Sequence, residues 1–267
     1  MERREGNLAV AEVSSQSSDR DITIHPAAVL AKNVSLGRGV QIHANAVISD
    51  GVVIEDRVQI LSGCYIGEDC VIGENTIIHQ NCVIRERTQI GKRAVLEAGV
   101  VVGSDGFGYA KDTNGDRCKI PQIGYVVIGD DVRIGPNTTV DRATLGKTVI
   151  HDGAVIGSLV QVAHNVTVGE RTVIQSHVGI CGSNRIGSDV FVGRGVGMVG
   201  HIVIGPGAHL APCAGVTKEV PEGSLVYGYP GCNYEEYRQR RDSFRSLPDL
   251  WKRVEALEKK VQGESTA

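Results

Sequence analysis

Aliphatic residues recur at every sixth position along most of this chain. The spacing holds without a miss over residues 24 to 102, resumes over residues 128 to 140, and runs again over residues 150 to 216. A helix that repeats every 3.6 residues cannot keep such a spacing, whereas a short strand with a tight turn takes about six residues. The pattern predicts a hexapeptide-repeat solenoid, a three-sided prism of parallel strands with about 18 residues in each coil.

The repeat also predicts how the chain is divided. Residues 22–220 are expected to form the prism, residues 1–21 a disordered leader or a loose cap, and residues 221–267 a loop and two helices. The first helix is expected from about Tyr234 to Arg245, and the second from near Pro248. The second helix spaces apolar residues three and four apart, which predicts self-association: Leu247, Leu250, Val254, Leu257 and Val261.

An inserted loop interrupts the repeat over residues 103–125. A loop of this size in a regular prism is usually functional, although a tolerated excursion over a neighbouring face is the alternative. Asp105, Phe107 and Tyr109 lie among its glycines and are candidate substrate contacts. A smaller slip of the repeat follows Val140, next to Asp141 and Arg142, and is expected to reshape one corner.

Composition excludes several functions. A net charge of -3 and a pI near 6.2 give no attraction to nucleic acid or to an anionic membrane surface. No apolar stretch is long enough to span a bilayer or to act as a signal peptide, so we expect a soluble, cytoplasmic protein without membrane insertion. Cys64, Cys70 and Cys82 occupy the small inward position of a hexad and are interpreted as core residues.

One histidine has a defined neighbourhood. His164 lies in the segment Q-V-A-H-N-V, and counting 18 residues forward gives Gly182, one coil above. Counting 37 residues gives His201, two coils above and one residue along. A neutral imidazole can accept a proton from an attacking amine, and an amide without a side chain can approach an oxyanion. We predict acyl transfer with His164 as general base and Gly182 as oxyanion donor, while His201 would bind substrate or assist the oxyanion. A solvated corner histidine is the alternative.

Several motifs around these residues resemble those of the left-handed β-helix acyltransferases, and most closely the UDP-3-O-acylglucosamine N-acyltransferases of lipid A biosynthesis. The resemblance covers roughly residues 22 to 262. Its motifs are G-S-D-G-F-G-Y at 103 to 109, K-I-P-Q-I-G at 119 to 124, N-T-T-V-D-R at 137 to 142, Q-V-A-H-N-V at 161 to 166, G-M-V-G-H at 197 to 201 and V-T-K at 216 to 218. The left-handed coil and the homotrimer are implied by this resemblance alone.

The resemblance also implies the chemistry. In that family the histidine of the A-H-N motif deprotonates the glucosamine 2-amine, which attacks a 3-hydroxyacyl thioester carried by the phosphopantetheine of acyl carrier protein. His164 matches this base, Gly182 the oxyanion glycine and His201 the second active-site histidine. The resemblance places the site between adjacent chains. The substrate-binding residues expected with these three are Asp105, Phe107, Tyr109, Asn165, Asp141 and Arg142.

Two further surfaces follow from the resemblance. An apolar groove for the acyl chain is expected to include Cys213 and Gly215, whose small size would admit a longer or different chain. Arg238, Arg240 and Arg241 are expected to help dock the acidic carrier protein, or otherwise only to solvate a helix face. Neither a metal nor a bound cofactor is expected.

Other readings stay open at this point. Members of the family carry a globular N-terminal domain that contacts uridine, whereas 21 polar residues precede the first hexad here. The nucleotide is therefore bound differently or more weakly, or the acceptor is another amino sugar. An acetyl-CoA-dependent sugar acetyltransferase would share the base. A γ-type carbonic anhydrase would need three converging histidines, and a non-catalytic or ice-binding prism would show a flat repeated face.

Overall fold

Three β-sheets, whose strands are parallel except for the last strand of one sheet, wrap around one narrow core in the computed structural model, which describes residues 21–264. They are called sheets 1, 2 and 3 here, in the order in which the chain visits them. Nearly all strands contain two residues, as expected for a hexad that spends the rest of its length on a corner. The leader predicted for residues 1–21 lies outside the described residues, apart from Asp21.

The strands of the sheets have the following bounds. Sheet 1 consists of Thr23–Ile24, Gln41–Ile42, Gln59–Ile60, Ile77–Ile78, Val95–Leu96, Arg133–Ile134, Val155–Ile156, Val173–Ile174, Phe191–Val192, His209–Leu210, Leu225–Tyr227 and Cys232–Asn233. Sheet 2 consists of Val29–Leu30, Val47–Ile48, Tyr65–Ile66, Val83–Ile84, Val101–Asp105, Thr139–Arg142, Gln161–Val162, Gly179–Ile180, Gly197–Met198 and Gly215–Val216. Sheet 3 consists of Ser35–Leu36, Val53–Ile54, Val71–Ile72, Gln89–Ile90, Tyr125–Ile128, Lys147–Ile150, Thr167–Val168, Arg185–Ile186 and Val203–Ile204.

The register confirms the predicted coil. Thr23 pairs with Gln41 and Ile24 with Ile42, and the same step repeats along all three sheets. Contacts between equivalent corners, such as the hydrogen bond from the Arg38 amide to Asp56, span 18 residues. Residues of one hexad position therefore form columns that run along the prism, and a residue's neighbours can be found by counting.

The core consists of the two inward positions of each hexad. The aliphatic positions are fully buried from Ile42 to Val216, with only slight exposure at a few of them. Cys64, Cys70 and Cys82 are buried among them as free thiols, as predicted for core residues. Burial raises the pKa of the Cys70 thiol to about 12, which keeps it protonated and poorly reactive.

Two coils are longer than the others, where the repeat is interrupted. The inserted loop lengthens one coil, so that the hydrogen bond from the Lys92 amide to Asp130 spans 38 residues. The slip lengthens another, and the bond from the Val160 amide to the Thr138 hydroxyl spans 22 residues. The inserted loop has its own structure: it extends the strand Val101–Asp105 and then forms an antiparallel hairpin of strands Tyr109–Lys111 and Arg117–Lys119.

The C-terminal region differs from the prediction in two ways. The prism continues past residue 220, because the strand Leu225–Tyr227 pairs with His209–Leu210 and adds another strand to sheet 1. One helix, Tyr234–Glu264, replaces the two expected helices. It begins where the Asn233 side chain accepts a hydrogen bond from the Glu236 amide at 2.9 Å, with two acidic residues in its first turn.

Pro248 lies inside this helix and does not end it. A proline removes one backbone donor, here the one that would bond to the carbonyl of Phe244. Phe244 is 75% exposed, so water can hydrate that carbonyl and the helix continues. Among the residues that the structure describes, none of the helices combines the length and the apolar character that spanning a bilayer requires.

Candidate active site

The predicted site lies on the corners that lead from sheet 2 to sheet 3. His164, Gly182 and Gly200 form one column, and Asn165, Ser183 and His201 form the next. The Ser183 amide donates to the His164 carbonyl at 2.9 Å, and the His201 amide donates to the Gly182 carbonyl at 3.1 Å. The structure therefore brings together the three residues that were selected by counting coils.

The imidazole of His164 lies directly over Gly182. A Cβ atom added to Gly182 would stand 2.5 Å from His164 Nε2 and 2.6 Å from Cε1. No side chain fits at this position unless the histidine moves. The His164 ring can therefore take this position only because residue 182 has no side chain.

The amide of Gly182 is open because the next residue in its column is also a glycine. At other corners the amide at this position donates to a side chain one coil further on: Arg38 to Asp56 at 2.8 Å, and Lys92 to Asp130 at 2.8 Å. Gly200 has no side chain to fill that role, and the hydrogen bonds within residues 21–264 include none from the Gly182 amide. An N–H without a partner beside a histidine is what an oxyanion requires. Gly200 was missed in the sequence, although the coil count points to it.

Asn165 sets the orientation of the His164 ring. Its Oδ1 accepts a hydrogen bond from the Thr144 amide at 3.0 Å, and its Nδ2 donates to the Leu145 carbonyl at 2.9 Å. The same Oδ1 stands 3.2 Å from His164 Nδ1, which must therefore carry the proton. Nε2 is left as the basic nitrogen, on the side of Gly182. Asn165, which was predicted to bind substrate, contacts His164 in this structure.

The inserted loop covers the other side of His164. A Cβ atom on Gly106 would stand 2.7 Å from the Cβ of His164, so the loop backbone rests on this side chain. Gln122 is buried next to it, accepts a hydrogen bond from the Thr144 hydroxyl at 2.9 Å and donates to the Ile120 carbonyl at 3.1 Å. Gln122 was not predicted as a site residue, and its position in the K-I-P-Q motif was the only signal.

Asp141 and Arg142 are buried beneath the loop rather than open to a substrate. The Ser104 hydroxyl donates to Asp141 at 2.7 Å. Burial raises the pKa of the Asp141 carboxyl, although hydrogen bonds from Ser104 and Gln161 and the nearby His164 act against the rise. Arg142 donates through Nε to the Gly103 carbonyl at 2.7 Å. These two residues, predicted to bind substrate, hold the start of the loop.

Arg142 also joins the loop to the preceding coil. Its Nη1 pairs with Glu86 at 3.0 Å, while Nη2 is buried without a hydrogen-bond partner among the described residues. Glu86 in turn pairs with Arg85, which together with Arg142 lowers the pKa of its carboxyl to about 2. The guanidinium is therefore held between the start of the loop and the preceding coil.

The exposed part of the loop carries the remaining predicted contacts. Asp105 pairs at 2.6 Å with Lys119, the last residue of the second hairpin strand. Phe107 is 80% exposed, and its ring centroid lies 5.2 Å from that of Tyr109. The two rings form an apolar surface on the exposed part of the loop.

The two residues predicted for an acyl groove differ in environment. Gly215 is buried under the ring of Tyr229, and a Cβ atom added there would overlap it. Cys213 is exposed on the preceding corner, between sheets 1 and 2. Gly215 therefore lines no open groove in this structure, and Cys213 lies on the exposed corner that precedes it.

Comparison with known proteins agrees with the repeat. The model of the bacterial transferase hexapeptide (six repeats) matches residues 51–86, 69–104 and 147–182. The three matched segments all lie within the prism.

Curated relatives of this hexapeptide-repeat protein share one name. A UDP-3-O-acylglucosamine N-acyltransferase of Methylobacterium nodulans is 42% identical over 167 residues, which are 62% of this chain and 45% of that protein. The enzyme of the same name from Hahella chejuensis is 43% identical over 176 residues, 66% of this chain and 50% of that protein. The hexapeptide-repeat chain thus spans about half the length of the curated relatives it matches.

Solved structures show the same fold. The UDP-N-acetylglucosamine acyltransferase of Francisella novicida has a TM-score of 0.64 at 23% identity, covering 86% of this chain and 79% of that one. The protein of that name from Campylobacter jejuni has a TM-score of 0.61 at 21% identity, covering 84% of both chains. The fold is the left-handed parallel β-helix expected from the sequence.

The arginines of the C-terminal helix are engaged by acidic neighbours in the same helix. Arg238 pairs with Glu235 at 3.3 Å, Arg240 with Glu236, and Arg241 with Asp242 at 3.0 Å. Their guanidinium groups are exposed but partly neutralised.

Within residues 21–264 of the hexapeptide-repeat protein, no three His, Cys, Asp or Glu side chains converge as a metal would need.

Proposed function

We propose that the chain is an N-acyltransferase that moves a 3-hydroxyacyl group from acyl carrier protein to the 2-amine of UDP-3-O-acylglucosamine. The observation that carries the proposal is the pairing of a basic His164 Nε2 with the open Gly182 amide. The name of the curated relatives supplies the acceptor, and the family resemblance of the sequence motifs implies the donor. No bound cofactor takes part, because the thioester of the carrier's phosphopantetheine is itself a substrate.

The chemistry follows from the two groups. The amine nitrogen attacks the thioester carbonyl carbon while His164 Nε2 takes a proton from the amine. The Gly182 N–H donates to the oxyanion of the tetrahedral intermediate, where a preorganised donor contributes about 10²-fold or more in rate. Collapse of the intermediate breaks the C–S bond, and the imidazolium returns its proton to the leaving thiolate. Asn165 keeps Nδ1 protonated throughout, so that Nε2 does the proton transfer.

We infer that the substrates occupy the exposed side of this corner. His201 presents its exposed side chain there, two coils above His164, and would contact the acceptor sugar or the acyl group. The Phe107 and Tyr109 rings offer apolar surface to the sugar nucleotide at the other edge. Asp105 stands beside them, already paired with Lys119. A homotrimer would close the site with a neighbouring chain, which fits the exposure of Phe107 and Leu145.

Docking of the acidic carrier protein would use the exposed arginines of the C-terminal helix. The Arg238 and Arg240 side chains are 52% and 59% exposed, so a carrier carboxylate can reach them alongside their present partners. Acetyl transfer from acetyl-CoA is the alternative that shares the same base. The side-chain-free surface at Gly179 and Gly197 favours a long acyl chain over an acetyl group.

The test is mass-spectrometric detection of N-acylated product from 3-hydroxyacyl carrier protein and UDP-3-O-acylglucosamine. The wild type should form product, and His164→Ala should lower the rate at least about 10²-fold, as expected on loss of a general base. His151→Ala is the matched control, because His151 is an exposed histidine on a corner of the same prism. Transfer to a different amino sugar would keep the mechanism and change the acceptor. No transfer to any acceptor would contradict the proposal.

A further inference from the structure

In the coils just above that of His164, the outward position of sheet 2 is occupied by glycine. Gln161 pairs with Gly179, Gly179 with Gly197, and Gly197 with Gly215. Nothing lies within 4 Å of a Cβ atom added to Gly179 or Gly197. Bare backbone therefore forms an open strip, called the glycine strip here, that begins at Gly179, on the same coil as Gly182.

Tyr229 ends the glycine strip at the third glycine. A Cβ atom on Gly215 would lie on the Tyr229 ring, so the ring occupies the place of a side chain at residue 215. The segment that carries it is fixed to the same residue, because the Gly215 amide donates to the Gly228 carbonyl at 2.9 Å and the Gly231 amide to the Gly215 carbonyl at 2.6 Å. One face of the ring rests on the glycine, and the side chain is 84% exposed.

The two edges of the strip are consistent with an apolar occupant. Val199 lies on the edge that carries Gly182 and is 42% exposed, and Leu159 lies on the opposite corner and is 50% exposed. An acyl chain whose carbonyl carbon reaches the Gly182 amide can extend from there past Gly197 with its methylene groups on bare backbone. Further extension in this direction meets the ring of Tyr229.

We propose that Tyr229 sets the upper limit of the acyl chain length that this site accepts. The inference rests on the proposed acyltransferase function. Adjacent coils are separated by about 4.8 Å, the distance between neighbouring strands. Removing the ring would lengthen the strip by one coil, which corresponds to roughly four methylene groups of an extended chain.

The test compares kcat/KM for carrier-bound 3-hydroxyacyl chains that increase in length by two carbons. Tyr229→Ala should shift the preferred chain to one longer by two to about four carbons, with a gain of about threefold to fourfold for each newly buried methylene group. Tyr229→Phe keeps the ring and should keep the wild-type preference. Tyr229→Leu should give an intermediate preference and serves as a second variant if the alanine variant unfolds.

The outcomes separate the two proposals. Equal length preferences of the wild type, Tyr229→Ala and Tyr229→Leu would overturn the role of Tyr229 and leave the acyltransferase function intact. Failure of the wild type to transfer any chain would overturn the function itself. Thermal unfolding of each variant, recorded beside the wild type, distinguishes a change in preference from loss of the fold.

Discussion

At the scale of single residues, the site depends on one hydrogen bond that is absent because residue 200 is a glycine, and on one that Asn165 makes with His164. Gly200 leaves the Gly182 amide without a partner in the described part of the chain, and Asn165 fixes which nitrogen of His164 is basic. Asn165 adopts a left-handed backbone conformation with φ of 60°, which places its side chain behind the histidine instead of in solvent. The same backbone conformation recurs at many corners. The fold therefore sets the position of the side chain, and the asparagine amide sets its contact with His164.

Asn165→Asp tests this orientation. A carboxylate beside Nδ1 favours the charged imidazolium over the neutral ring that acts as the base. The acidic limb of the pH dependence of kcat/KM should then move to higher pH by about one unit, since the base must be neutral to act. Asn75→Asp is a matched control, because Asn75 has a φ of 59° on a corner without an adjacent histidine. Superimposable pH profiles for wild type and Asn165→Asp would contradict the assignment.

The 18-residue period of the coils predicted some contacts of this site and not others. A coil of 18 residues places Gly182 and His201 beside His164, since the period fixes the columns. The contact of Asn165 with His164 depends on a side-chain direction and on Thr144 and Leu145, which lie where the repeat slips. No period connects those residues, so the interaction was not predicted. Tyr229 was missed for the same reason, because it follows the end of the repeat.

At the scale of elements, the inserted loop is fixed to the prism by buried polar contacts. Ser104 donates to Asp141, Arg142 donates to the Gly103 carbonyl, and Gln122 accepts from Thr144. The sequence predicted that the loop has a function, but not that its Gly106 backbone rests on His164 or that it forms a hairpin. Its Asn114–Gly115 pair is a known turn signal between two short strands and could have indicated the hairpin.

The buried Asp141 makes part of this attachment dependent on pH. Its folded-state pKa is raised above 3.8, so the folded protein holds the proton more tightly than the unfolded chain. Stability is therefore lost as pH rises from about 3.8 through the folded-state pKa. Asp141→Asn removes this loss and keeps an acceptor for Ser104. The melting temperature of the variant minus that of the wild type should grow with pH and then reach a plateau.

Asp131→Asn gives a control of opposite sign. A hydrogen bond from Arg93 lowers the pKa of the Asp131 carboxyl, so its contribution to stability is present above 3.8 and is lost as pH falls. This variant should melt at or slightly below the wild-type temperature at neutral pH, because the pair is exposed. A pH-independent melting difference for Asp141→Asn would contradict the raised pKa of Asp141.

At the scale of the whole molecule, the coils of the prism pack against one another, whereas most of the C-terminal helix packs against nothing in the described chain. Every coil stacks on the next through short strands, and the contacts are local along the axis. The helix has 31 residues and is about 46 Å long, but only its first turns meet the prism, through stacking of Tyr237 on Tyr227. The continuous helix was not predicted. A proline is common in the first turn of a helix, so Pro248 was interpreted as the start of a second helix.

The exposed apolar side of that helix predicts self-association. Leu250 and Leu257 are 50% and 61% exposed, seven residues apart, and fit the spacing of a coiled-coil seam. Replacing both with Glu should place charges in the seam and shift the chain toward smaller species in sedimentation velocity over a concentration series. Lys252→Glu, which makes the same total change in charge on the exposed helix, should leave the distribution near that of the wild type. If the double variant and the wild type sediment alike at every concentration, the helices do not hold the chains together. The prism faces would then have to supply the whole interface, and the position of the site between chains would depend on them alone.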